Sequence, residues 1–252
     1  MNITTTVAAV KTTAKSTLSL GFAAWAILTS SACFAGTVLN GSFENNYNDW
    51  TTLGLASIET SAFNVDPIEG NNQALIRSAD GAVGDDTVAN LANFLNIPLS
   101  EINAGGRNGF RGSGVKQVIV VDNIGDRLSF SWNFVTSQVP SAAFNDFAFL
   151  SISSSSVGGP KSAIFLADTF AAPNPYVGVS FSRQSGYGPT PTEFSFSEAG
   201  EYTIGFGVLN ANDSSFPSGL LIDNVTLAVP EPTALAGLGL VGLALTLRRR
   251  RK

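Results

Sequence analysis

Apolar and polar residues alternate with a period of two through the second half of this chain, and that pattern constrains the fold more than any other feature. In Arg127-Leu128-Ser129-Phe130-Ser131-Trp132-Asn133-Phe134 the apolar Leu128, Phe130, Trp132 and Phe134 fall on one side and Ser129, Ser131 and Asn133 on the other. This is a strand with one face buried, which assigns Trp132 to the core. Similar runs occupy 116–121, 146–152, 163–166, 176–181, 193–197, 201–209 and 220–228, separated by turn-forming clusters at 122–126, 153–160, 185–191 and 198–200. Short strands so punctuated predict an all-β chain, a jelly-roll-like β-sandwich. One stretch breaks the rhythm. Val88, Leu91, Ala92 and Leu95 recur at helical spacing behind Asp86 and end before Pro98. The spacing predicts a helix over 87–96, capped by Asp86 and lying across one end or edge of the sandwich, with 98–114 as a loop. No repeat at solenoid or propeller period occurs.

Both ends read as targeting segments. Lys11 and Lys15 precede an apolar run from Leu18 to Leu28 and small residues through Ala35, the order of a secretory signal peptide read by signal peptidase and the general secretion machinery. Cys33 and Ala35 set small side chains three and one residues before a cut at Gly36. Ser30-Ser31-Ala32-Cys33 also loosely resembles a lipoprotein signal, which carries Leu where Ser30 stands; the alternative is a small residue in the cleavage region. Cys33 is the only cysteine, so removal of the signal leaves a body with no disulfide and no thiolate metal site. At the other end, 233–247 is a 15-residue apolar run. As a helix it reaches about 22 Å, short of a bilayer core of about 30 Å. The expected organisation is a signal helix over 1–35, a sandwich body over 36–228 and a tail with a short hydrophobic helix over 229–252.

Charge and missing residue types remove several classes of function. Between 36 and 228 there are 7 Lys and Arg against 18 Asp and Glu, a balance of −11. Nucleic acid is not the partner, since its phosphates call for a basic surface. The chain has no histidine, which excludes Ser-His-Asp and Cys-His catalysis and imidazole zinc sites. A pair of carboxylates, as in glycoside hydrolysis, is the enzymatic route left open. Sugar binding calls for aromatic rings beside polar groups. Tyr47, Trp50, Tyr176 and Tyr187 stand in or next to loop-like sequence and are the candidates, packing within the loops being the alternative for each. Asp146, beside Asn145 at the start of an apolar run, either ligates a cation or caps a loop.

Three resemblances add to this. Val229-Pro230-Glu231-Pro232, the apolar run, then Arg248, Arg249, Arg250, Arg251 and Lys252 resemble the PEP-CTERM sorting signal of Gram-negative-type bacteria. That resemblance implies transient anchoring in the inner membrane, processing by an exosortase, and delivery to the cell surface or an exopolysaccharide matrix. Asn40-Gly41-Ser42-Phe43-Glu44 and Ile222-Asp223-Asn224-Val225 resemble the first and last strands of jelly-roll carbohydrate-binding modules. It implies neighbouring termini and a structural Ca²⁺ with Glu44 and Asp223 as side-chain ligands, completed by backbone carbonyls or water. Stretches from Gly112 to Val208 are similar to the body of many exosortase-sorted surface proteins, which carries no assigned catalytic residues. The resulting expectation is a non-enzymatic exported protein touching extracellular polysaccharide; the alternatives are a carboxylate-dependent glycan-active enzyme and a purely structural matrix protein.

Overall fold

A computed structural model describes residues 36–79, 81, 84–178 and 181–228. The expected signal peptide and sorting tail lie outside the described residues. Two antiparallel sheets stack face to face in the jelly-roll-like sandwich that the alternation predicts. One sheet has the order β1 (Thr51–Leu53), β5 (Gly109–Val121), β12 (Gly200–Ala211), β7 (Phe147–Ser154), β8 (Lys161–Asp168), with β4 (Asp86–Thr87) also on β5. The other runs β2 (Leu55–Glu59), β3 (Gln73–Arg77), β13 (Ser218–Ala228), β6 (Arg127–Thr136), β10 (Arg183–Gln184), β9 (Asn174–Pro175), with β11 (Thr192–Ser195) on β6. β5, β6 and β7 cross from sheet to sheet in turn, as do β12 and β13. Each long strand therefore sends alternate residues into one shared interior. Phe130, Phe134, Leu150, Ile152, Ile204, Phe206, Val208, Leu220 and Ile222 form that core, with Trp132 packed against it half-buried, as its alternation requires.

The helix is present but shifted in cap and position. α1 spans Val88–Leu95, and its cap is Thr87, whose Oγ1 accepts from the Asn90 amide at 3.3 Å. Asp86 instead accepts from the Thr87 amide and the Asn90 side chain, both at 2.7 Å. The helix lies on the outer face of the β5–β12 sheet rather than at an end or edge. Leu91 and Leu95 press where Gly114 and Gly205 present bare backbone, since a Cβ at either glycine would sit 2.6 Å from one of those leucines. Leu91, Ala92 and Leu95 then bury against Phe147, Phe149 and Leu209, about 1.5–3 kcal/mol per leucine. The segment expected to be one loop, 98–114, holds a second helix, α2 (Leu99–Ile102), and the first half of β5.

Of the run expected as a strand over 176–181, the described residues 176–178 and 181 are not in a strand and lie between β9 and β10. Tyr176 and Phe181 fold back over Leu75, Val135 and Leu221 on the outer face of the second sheet. Tyr176 donates its hydroxyl to the Phe63 carbonyl at the loop that shares this layer. The opening segment expected as a strand, 40–44, is a series of turns with left-handed backbone at Asn40 and Phe43. It does lie beside the last strand, for the Val225 amide donates to the Gly41 carbonyl at 3.0 Å. Gly41 has to be glycine there, because a Cβ would meet that strand's Val225 carbonyl oxygen at 1.9 Å. Gln117 ties the same opening segment to β5 through Leu39 and Asp49.

Candidate functional site

Glu44 and Asp223 do act on one place, the loop between β2 and β3. Asp223 is fully buried; its Oδ2 accepts from the Ile68 and Glu69 amides at 2.6 and 2.9 Å, and its Oδ1 from the Asn224 amide at 2.7 Å. Glu44 Oε1 accepts from the Asn71 and Asn72 amides at 2.7 and 2.8 Å. Burial pushes the Asp223 carboxyl up to about 6 against the opposing pull of those three amides. This donor set makes the two carboxylates a clamp on the loop, with both lone pairs of Asp223 Oδ2 occupied by backbone amides. Among the described residues no three His, Cys, Asp or Glu side chains gather to hold a metal ion.

The aromatic candidates are packing residues in this structure. Trp50 is 7% exposed, lies 5.2 Å from Phe43 between ring centroids, and donates Nε1 to the Asn40 carbonyl at 3.1 Å. Tyr47, half-buried against the core, donates its hydroxyl to the Ser57 and Leu75 carbonyls at 2.9 and 3.1 Å. Tyr187 packs in the layer over the second sheet and donates to Gln73 Oε1. Burial pushes both phenols above their ordinary range. Trp50 is buried, and Tyr47 and Tyr187 are half-buried.

A cleft of about 190 Å³ opens elsewhere, where four chain segments converge beside the C-terminal end of β8. Arg107 and Asn108 come from the turn before β5, Asn145 from the loop before β7, Asp168 from the last residue of β8, and Asn212 from the turn after β12. Gly105 and Gly106, both with positive φ, form the tight turn that brings Arg107 in. Asn145 and Asp168 are fixed to each other: Asn145 Nδ2 donates to Asp168 Oδ2 at 2.9 Å, Asn145 Oδ1 accepts from Thr169 Oγ1 at 2.6 Å, and Asp168 Oδ1 accepts from the Phe170 amide at 3.0 Å. The Arg107 guanidinium stacks 4.0 Å over the Phe165 ring, an apolar shoulder beside the cleft, and donates to the Ala104 carbonyl. The lining thus mixes one guanidinium, one carboxylate and several amides on short tethers. Hydroxyl groups both donate and accept, so this mixture suits a polyhydroxylated ligand. Gly-Gly-Arg-Asn and Asn-Ala-Asn-Asp look like ordinary turn chemistry in the sequence, and Asp146, the neighbour of Asn145, is the one signal near this cleft.

No protein-family model matches the chain, and no curated protein matches it. Among solved structures the chain is similar to TmCBM61 in complex with β-1,4-galactotriose, with 12% identity and a TM-score of 0.43 over 77% of this chain and 97% of that one. It is similar to the K1 cleaved adhesin domain of Lys-gingipain from Porphyromonas gingivalis, at 15% identity and a TM-score of 0.42, over 77% of this chain and 97% of that one. A third likeness, at 9% identity and a TM-score of 0.38 over 75% of this chain, is to carbohydrate-binding modules of the β-sandwich superfamily, of whose chain 60% is spanned.

Proposed function

We propose that this is an exported, non-catalytic bacterial protein whose folded body binds one ring of an extracellular polysaccharide in the cleft between Arg107, Asn108, Asn145, Asp168 and Asn212. The supporting observation is the lining itself: a guanidinium, a carboxylate and amides, two of them already fixed, around a space below the roughly 300–1,000 Å³ typical of sites for larger ligands. One carboxylate lines the cleft, whereas glycoside hydrolysis takes a facing pair, which favours binding over turnover. Delivery belongs to the two ends: signal peptidase removing 1–35, and an exosortase acting at Val229-Pro230-Glu231-Pro232 with the apolar run and Arg248–Arg251 behind it. The destination under this reading is the cell surface or the exopolysaccharide matrix.

A glycan array probed with the purified full-length protein tests the binding reading. Retention of a neutral saccharide is expected, weakened about tenfold or more by Arg107→Ala with Asn108→Ala while the melting temperature holds. No saccharide retained, or retention indifferent to the double substitution, refutes it.

A further inference from the structure

The interior of the sandwich turns polar just behind the cleft. β7 and β12 pair with Leu209 opposite Phe147 and Val208 opposite Ala148. Continued one residue past the end of β7, that register places Asn210 opposite Asp146, on the inward side with Val208 and Ala148. Directly opposed side chains in such a pair lie about 4.5–5.5 Å apart at Cβ. Across the interior, Ser218 of β13 pairs with Thr136 of β6. Asp146, Asn210, Ser218 and Thr136 are all fully buried. Ser218 Oγ donates to Asp146 Oδ2 at 2.7 Å and lies 2.7 Å from Thr136 Oγ1, and the Ala211 amide donates to Asp146 Oδ1 at 2.9 Å.

Two anomalies remain in this cluster. Among the described residues no cation is bonded to this buried carboxylate, and Asn210 Oδ1 is a buried acceptor without a donor, its amide nitrogen being turned to the Ala79 carbonyl at 3.3 Å. Each is costly alone. A single proton on Asp146 removes both costs, since it cancels the charge and supplies the missing donor.

We propose that Asp146 stands as a neutral carboxylic acid donating its proton to Asn210 Oδ1, and that this pair is the latch positioning the cleft walls. Three of the four segments lining the cleft hang on it. Asn145 is its chain neighbour. Its backbone carbonyl accepts from the Thr169 amide at 3.1 Å, next to Asp168. Its carboxyl holds the Ala211 amide, next to Asn212. Burial pushes the Asp146 carboxyl up to about 7, with Asp213 adding to the rise. The other charged groups near the latch are Asp168, bonded to Asn145, Arg107 in the cleft, Arg183, which donates to the Gln138 and Thr169 carbonyls at 3.2 and 3.0 Å, and Arg111, which stands opposite Asn210 on β5 and is paired to Asp85 at 2.9 Å.

Of these tethers only the bond to Asn210, two residues before Asn212, depends on the proton, so it holds at low pH and is lost as pH rises through neutrality, while the Ala211 and Thr169 amides keep their acceptors. Its effect on ligand rests on the saccharide reading above; the latch itself does not. The test is a ¹³C-carboxyl NMR titration of the full-length protein, in which Asp146 is expected to titrate near neutrality and the amides of Thr169 and Asn212 to shift with the same midpoint. Asn210→Ala removes the acceptor and should move that midpoint down. Any saccharide found on the array should bind at least about fivefold more weakly at about pH 8.5 than at about pH 5.5 in the native protein, and equally at both in Asp146→Asn, whose amide donates without titrating. An Asp146 resonance that titrates with ordinary carboxylates overturns the latch, as does saccharide binding indifferent to pH. A latch that titrates as stated in a protein retaining no saccharide supports the pair and removes only the ligand reading.

Discussion

Asp223 carries the sharpest consequence of a single side chain. Its folded carboxyl is raised to about 6 above an unfolded value of about 3.9, so the neutral form favours the folded state. The stability this contributes is full below the unfolded value and is lost as pH rises through about 6, by at most about 3 kcal/mol. Chemical denaturation across pH 4 to 8 should show that slope, and Asp223→Asn should flatten part of it; a native profile that gains stability over the same range would contradict the assignment. Because Asp223 and Glu44 hold backbone amides, neither EDTA nor added Ca²⁺ should move the melting temperature, and a rise with Ca²⁺ would restore the calcium reading. The sequence made it legible that these two carboxylates converge, from the likeness of the two terminal motifs. Their partners were not legible, because a backbone amide carries no residue identity.

Among the elements, α1 shows how local signals and sheet composition join. Its existence was readable from the spacing of Val88, Leu91, Ala92 and Leu95. Its seat was not, because Gly112-Ser113-Gly114 falls within the expected loop and Gly205-Phe206-Gly207 within an ordinary strand run, so neither marks a groove for a helix. Gly205→Ala would set its Cβ 2.6 Å from Leu95 and 2.9 Å from the Val115 carbonyl oxygen, so a loss of about 1–3 kcal/mol is expected. Leu91→Ala should cost about 2–5 kcal/mol and Thr87→Ala about 1 kcal/mol. Denaturation midpoints should follow the order Leu91 first and Thr87 last; equal effects would mean that the helix is not held by its buried face. The early strand β3 carries no such signal. β3 is covered on both faces, with Ala74 and Ile76 in the main core and Leu75 under Tyr176 and Phe181, so burial erased the alternation that exposed β6. Gln73 at its start hides a polar group satisfied by the Val65 carbonyl at 2.6 Å and by Tyr187, a pairing that only the fold brings about.

At the scale of the whole molecule, the proposed function divides the work between the body and the ends. β13 stays paired to β6 through its last residue, Ala228 opposite Arg127, and the Val-Pro-Glu-Pro motif begins at the next position. Among the described residues the core closes without the tail, so cutting there sacrifices no ladder hydrogen bond of β13. The proposed processing then makes a paired prediction. Intact mass of the protein recovered from the native cell surface should give a chain starting at Gly36 and lacking Arg248–Lys252, and its melting temperature should match that of the full-length chain. Glu231→Ala, or deletion of the terminal cations, should leave unprocessed protein in the inner membrane, because the short apolar run needs its cytoplasmic anchor to wait for the enzyme. A mature protein that keeps Lys252, or variants delivered to the surface as efficiently as the native chain, would dismiss exosortase sorting while leaving the sandwich and its cleft as they stand.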